Sequence, residues 1–265
     1  MALIAFTLIG VFIGVLSSLF GLGGGFVVVP ILYVFLPHVV PAEYVMHTAV
    51  GTSLAVMIIN STNSTYNHSK QGNINWMVFR QLAGFIASGA LIGGLLARYI
   101  DGGLLKCAFI MLLCYVIISN LYKKTANSND EFPISPLPGR ISRFVIGSFI
   151  GIISTLLGIG GSVMTIPYLR KYGMRMLHAV ALATPLGLPV AIVGASTYLA
   201  SGLRVAGMPD STIGFIYIPA LIGLSLGGLI GVPIGRRWAQ KIPDTLFFRI
   251  YLWLLIIVVI TMIIE

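Results

Sequence analysis

Two clusters of small residues set out the chemistry this chain can offer. Gly21, Gly23, Gly24 and Gly25 precede Pro30, and Gly158, Gly160, Gly161 and Ser162 precede Pro167 at the same spacing. The surrounding stretches, GVLSSLFGLGGGFVVVP from Gly14 and GIISTLLGIGGSVMTIP from Gly151, align without a gap. Glycine tolerates positive φ and leaves no side chain over its N–H. Where such a cluster opens a helix, the unpaired N–H groups of the first turn and the positive end of the dipole make a seat for an oxyanion. Ser162 replaces the Gly25 of the first copy and adds a hydroxyl donor. Thr52, Ser53, Asn60 and Asn63, with Thr184 in the matching place of the second half, are further candidates to line the path of the anion. Tight helix packing is the other use of such glycines, but a glycine cluster and a proline repeated at one spacing favour a binding site.

The clusters lie in a chain suited to lipid. Charged residues make up 9% of it and apolar residues 57%, against about 25% charged in ordinary soluble domains. The expected class is all-α, a polytopic integral membrane protein with the bilayer as its first partner. The net charge of +9 follows from basic loops that orient such proteins, so no nucleic-acid partner is implied. Four histidines and two cysteines have no ligand spacing, and H-E-x-x-H is absent. The chain reads as a non-enzyme with no metal site and no cofactor. It assigns no oligomeric state.

A span needs about 20 apolar residues. Runs of that order occur at 44–66, 78–99, 103–122, 178–200, 212–235 and 245–264. The two glycine regions differ, because apolar residues 3–20 are followed only by 26–36, and 141–157 only by 163–169. Basic residues concentrate in 123–143, 170–175 and 236–249. These three loops share one face, the cytoplasmic one, only if each broken segment enters and returns as a re-entrant hairpin. Each half then holds one hairpin and three spans. Three is odd, so the second half is inverted, and both termini are expected outside the cytoplasm. The expected division is residues 1–122, a polar Pro- and Ser-rich cytoplasmic linker at 123–143, and residues 144–265. The repeat reaches further: Ala49–Leu54 echoes Ala181–Leu186, Gly89–Gly93 echoes Gly227–Gly231, and Arg98 falls on Arg236.

GLGGGFVVVP and GIGGSVMTIP, together with Gly51-Thr52-Ser53, resemble the TauE/SafE sulfite exporter family, also called toluene sulfonate uptake permeases. The resemblance covers nearly the whole chain. It implies a bacterial inner-membrane permease for small sulfur-containing anions of the sulfite, sulfonate or thiosulfate class, some members of the family taking other organic anions. Two departures unbalance the halves: Ser162 opposite Gly25, and Pro185 opposite Ser53.

The acids fall in loops or at span ends, at Glu43, Asp101, Asp130, Glu131, Asp210, Asp244 and Glu265. Proton-driven pumps place carboxylates within the membrane. Transport driven by the substrate gradient and the membrane potential, or by an ion whose site the sequence does not mark, is therefore expected. An anion channel of the same architecture is the nearest rival, separated from a carrier by saturation and trans-stimulation.

Overall fold

The computed structural model describes residues 2–20, 24–122, 139–172, 174, 176–239 and 244–264. Its helices are α1 (Ala2–Phe20), α2 (Gly25–Phe35), α3 (Val45–Lys70), α4 (Trp76–Ala97), α5 (Gly102–Tyr122), α6 (Arg140–Leu157), α7 (Ser162–Lys171), α8 (Met176–Gly202), α9 (Ile218–Ala239) and α10 (Asp244–Ile264). A short ribbon, β1 (Thr212–Ile213) and β2 (Ile216–Tyr217), precedes α9. Among the described residues, six helical stretches are long and apolar enough to cross a membrane: Ala42–Lys70, Trp76–Ala97, Gly102–Ser119, Arg140–Leu157, His178–Gly202 and Ile218–Gly235. The molecule is a multi-pass membrane protein. Its outward faces are apolar stripes at helical spacing, such as Ile4, Leu8 and Phe12 on α1 and Ile222, Leu226 and Ile230 on α9. Exposed stripes of that extent suit lipid and not water.

The contacts fix the direction of each helix. Along α1 and α9, Gly10 meets Leu224, Gly14 meets Gly228 and Gly231, and Gly235 meets Val15, so the two run parallel. Along α6 and α4, Gly147 meets Phe85, Gly151 meets Ile86 and Ala90, and Gly93 meets Ile152, again in parallel. Along α3 and α8, Gly51 meets Tyr198, Gly194 meets Leu54 and Gly187 approaches Ser61, so these run antiparallel. Because the end of α8 at Gly202 lies against Gly214 and Phe215, just before α9 begins, α1 and α3 must point the same way, and α6 and α8 the opposite way. The chain therefore turns back between each pair. The return arms are α2, of 11 residues, and α7, of 10. At 1.5 Å per residue neither exceeds about 17 Å, too short for a span. The inverted repeat with its re-entrant hairpins is thus present in the fold.

Each half grips the other through glycines. Gly10 and Gly14 of α1 face a four-residue series, Gly223, Gly227, Gly231 and Gly235, on α9. Gly147 and Gly151 of α6 face Gly89 and Gly93 of α4 in the same manner. Small residues one turn apart let helix backbones approach closely in lipid, which explains why the Gly89 and Gly227 motifs echo one another. A Cβ at Gly89 would lie 2.0 Å from the Ser148 carbonyl oxygen. Gly89→Leu is expected to part α4 from α6, seen as loss of a monodisperse peak in size-exclusion chromatography. Gly84→Leu, whose Cβ has open space, should leave that peak intact.

Two sequence expectations need correction. The run expected to cross from 212 begins as a hairpin instead, because Gly214, at φ +57°, turns β1 back onto β2 and the helix starts only at Ile218. The linker expected over 123–143 ends earlier, since Arg140–Arg143 form the first turn of α6; residues 123–138 lie outside the described residues. The hairpin is pinned by aromatic packing. Phe6 meets Phe35 edge-on at 4.8 Å and Tyr217 at 6.1 Å.

Candidate functional site

The glycine clusters are helix breaks of one construction. Gly24 has φ +82°, Gly158 +68°, and Gly160 and Gly161 +75° each, a region no described non-glycine residue enters. Val28 N–H donates to the Gly24 carbonyl at 3.0 Å, and Thr165 N–H donates to the Gly161 carbonyl at 2.8 Å. Both short helices thus begin at a left-handed glycine, whose carbonyl also accepts a tighter bond from the third residue of the helix, Val27 in one and Met164 in the other, at 3.1 Å each. Gly24 folds back beside Ile13 and Ser17 of α1, and Gly161 beside Ile150 and Ser154 of α6. Gly21 and Gly23 lie outside the described residues.

The two breaks touch. A Cβ on Gly25 would stand 2.2 Å from the Gly158 carbonyl oxygen. Ser53, fully buried, donates its hydroxyl to the Gly158 carbonyl at 3.0 Å and lies 3.4 Å from that of Gly25. One hydroxyl of the first half therefore joins both breaks. Its counterpart Pro185 has no donor, so the junction is asymmetric. Ser162 is buried beside it, and its Oγ has no hydrogen-bond partner within the protein.

Beyond Ser53, α3 carries a buried polar stripe. Asn60, Ser64 and His68 follow at intervals of two turns, one and one, with Ser61 alongside, and all are buried. Residues so spaced share a helix face. On α8 the places of Ser53, Asn60 and His68 are held by Pro185, Ile192 and Ala200, and that of Ser64 by the exposed Ser196, so the buried stripe belongs to one half. Asn60 is its centre. It is wholly buried against Gly228, the midpoint of α9, and neither atom of its carboxamide has a hydrogen-bond partner among the described residues. A buried unpaired amide costs about 1–3 kcal/mol.

The remaining candidates are used locally. Thr52 accepts the Tyr217 N–H at 2.9 Å and so anchors the hairpin to α3. Thr184 donates to Val180, one turn back on its own helix, at 3.0 Å. Asn63 is half-buried, and its two carbonyl oxygens accept from Asn67 at 2.8 and 3.1 Å. The structure thus gathers Gly24, Gly25, Gly158, Gly160, Gly161, Ser162 and Ser53 at one place, sets Asn60 two turns along the stripe, and leaves Asn63 and Thr184 to their own helices. Sequence reasoning missed Ser61, Ser64 and the hairpin. Thr-Ile-Gly-Phe-Ile-Tyr, β-branched and aromatic around a turn glycine, is a strand signal hidden inside an apolar run.

Comparison with known proteins agrees with this architecture. A family model described as Sulfite exporter TauE/SafE matches residues 6–262. The chain belongs to that family. A Haemophilus influenzae relative, "Probable membrane transporter protein", is 32% identical over 97% of both chains. A relative of the same description from Methanocaldococcus jannaschii is 31% identical over 86% of this chain and 80% of its own. A third, YdhB of Bacillus subtilis, is 27% identical over 87% and 88%. No solved structure matches. This member of the TauE/SafE family is a membrane transporter.

Proposed function

We propose that the protein is a permease of the cytoplasmic membrane for small sulfur-containing or organic anions, of the sulfite, sulfonate and thiosulfate class, working by alternating access. The observation that carries the reading is the contact between the two glycine breaks, one from each inverted half, where the start of α2 at Gly25 meets the Gly158 carbonyl that closes α6 at a buried point beside Ser53. Helix starts of broken helices at a repeat interface are where transporters hold anionic groups. In the conformation described, the breaks are closed on one another. Rocking one half against the other parts Gly25 from Gly158, opens the first-turn N–H groups and the Ser162 hydroxyl to the anion, and leads it along the α3 stripe.

In this reading the charges orient the chain. Lys70, Arg80, Arg140, Arg143 and Arg237 cluster at the end where α3 finishes and α6 starts, which the positive-inside rule makes cytoplasmic. The N-terminus then lies outside, as does the start of α3. Glu43, Asp101 and Asp210 are exposed at that outer end and take no part in an interior proton relay. An anion leaving a cell with a negative interior gains about 2.3 kcal/mol per charge per 100 mV, so export needs no coupled proton.

The test is counterflow of radiolabelled sulfite, thiosulfate and ethanesulfonate in proteoliposomes. Saturable, trans-stimulated flux that follows the membrane potential is expected. Flux that tracks an imposed pH gradient at clamped potential would overturn the uncoupled mechanism, and unitary currents would make the protein a channel.

A further inference from the structure

At the end of the molecule where α3 starts, the outer end in the orientation above, lies an open cavity of about 420 Å³ with Tyr44, His47, Tyr99, Ser201 and Phe215 in its lining. Phe215 belongs to the hairpin, and the hairpin stands between that cavity and the face of α3 beneath it. A Cβ on Gly51 would be 2.4 Å from the Phe215 carbonyl oxygen. The Phe215 ring lies 5.3 Å from that of His47 and 5.7 Å from that of Tyr44. Two residues on, the Tyr217 N–H donates to Thr52 Oγ1 at 2.9 Å. His47, Thr48, Gly51 and Thr52 share one face of α3, so the second strand of the hairpin lies across that face.

This joint is peculiar to the second half. In the first half, α3 passes to α4 through residues 71–75, whereas α8 passes to α9 through residues 203–217. Thr184, the repeat of Thr52, bonds within its own helix. The hairpin grows from the second half but is seated on the first. Tyr217 packs on Phe6 of α1 and Phe35 of α2, at 6.1 and 6.5 Å, and Gly51 and Thr52 belong to α3. Residues 214–217 are buried in that seat, while Ile213 on the first strand is exposed. Thr48 is wholly buried, and its hydroxyl has no hydrogen-bond partner among the described residues. A hydroxyl so placed destabilises the closed arrangement, and water reaching α3 under a raised hairpin would relieve it.

On the cytoplasmic side of Ser53 the polar stripe of α3 runs on to His68. On the outer side the same helix is covered by the hairpin. We propose that the hairpin is the outer gate of the transport path, latched to α3 by the Thr52 hydroxyl and shut in the conformation described. The proposal rests on the alternating-access reading above. Parting the halves must open the hairpin seam, because one side of it belongs to each half. Thr52 adjoins Ser53, so the displacement of α3 that frees the helix breaks also frees the latch. Closure of a small element over a site is a common way to keep it from solvent until it must open.

Cysteine accessibility tests the gate, with Thr48→Cys as reporter in the full chain after Cys107→Ser and Cys114→Ser. Spheroplasts are treated with a membrane-impermeant methanethiosulfonate, and the thiol left free is counted after denaturation with a mass-tagged maleimide. The reporter is expected to react from outside, slowly while the hairpin is latched. Thr52→Val keeps the shape but removes the acceptor, and should speed the reaction by about tenfold, the worth of one buried N–H left unpaired. Thr52→Ser should restore the slow rate. Gly214→Ala is an independent way to loosen the hairpin: at φ +57° its methyl would stand 2.2 Å from the Leu199 carbonyl oxygen, so the turn must lift from α8 and the reaction again speeds up. Ser64→Cys, buried on the cytoplasmic side of the breaks, should stay unreactive from outside in every background. Equal rates at Thr48→Cys with and without the loosening substitutions, or reaction only from the cytoplasmic side in inverted vesicles, would overturn the gate. An equal gain at Ser64→Cys would overturn it too, because the hairpin would then be holding the fold together. Counterflow of the three anions is measured separately. Flux with labelling that ignores the latch sinks the gate alone; labelling that answers to the latch without flux sinks the sulfur-anion reading and leaves the gate standing.

Discussion

Asn60→Leu should cut anion flux in proteoliposomes by about tenfold or more, and should not lower the thermal stability of the protein. The two halves of that expectation come from one fact. The carboxamide is wholly buried against Gly228, with no partner for either of its atoms. An unpaired buried polar group costs about 1–3 kcal/mol, and an apolar replacement of similar shape removes that cost. Leucine has the branched outline and heavy-atom count of asparagine, and the crowding of its larger methyls against Gly228 offsets part of that gain. Stability should hold. An amide that binds the passing anion supplies a charge-assisted hydrogen bond, worth about 1.5–3 kcal/mol, and its loss is felt as one or two decades of rate or affinity. The conservative Asn60→Gln keeps the amide but lengthens it into Gly228, and should lose both flux and stability. A residue serving only to tie α3 to α9 gives the opposite pattern for leucine: stability falls and the flux of the surviving protein is unchanged. Melting temperature and counterflow on the same preparations distinguish the two.

Much of this was open to a reader of the sequence, for reasons tied to particular residues. The breaks were legible because glycine is almost alone in tolerating φ near +75°, and Gly24, Gly158, Gly160 and Gly161 all adopt it. The inversion was legible because charge follows side: with α2 and α7 too short to cross, Arg140, Lys171 and Arg237 must share an end. Two things were not. The contact of Gly25 with Gly158 joins positions 133 residues apart, and neither copy of the motif says whether it faces the other. The hairpin at Thr212–Tyr217 is as apolar as the helix it precedes, so hydropathy absorbs it into a span. Asn60 lay in between. Its polarity at depth marked it, but the stretch from Asn60 to His68 is so rich in hydrogen-bonding groups that only burial separates Asn60 and Ser64 from Asn63, which α3 turns toward its own Asn67.

The asymmetry of the breaks leads to the second large effect. Gly25→Ala should abolish transport and destabilise the protein, while Ser162→Ala, at the position related to it by the repeat, should leave the fold intact. At Gly25 the added methyl would stand 2.2 Å from the Gly158 oxygen and 3.2 Å from Ser53 Oγ, where a carbon needs about 3.5 Å. The obstacle is backbone and cannot swing aside. The breaks must separate by more than 1 Å, which is about the length of the Ser53 bond's tolerance, and the Gly158 carbonyl then loses its donor. Overpacking of this kind costs about 1–3 kcal/mol, and an orphaned buried carbonyl adds a comparable amount. Ser162 already holds a side chain in its half, buried and without a partner, so removing the hydroxyl removes a desolvated group and no contact. Its effect is confined to transport: if the hydroxyl meets the anion, KM for the transported species rises by about tenfold with the melting temperature unchanged. Equal loss of stability in both variants would show that the halves are symmetric at the breaks and that Ser53 does not bind them together. A Gly25→Ala protein that transports normally would show that the close contact of the two breaks is not needed in the cycle, and with that the meeting point beside Ser53 would cease to be the site.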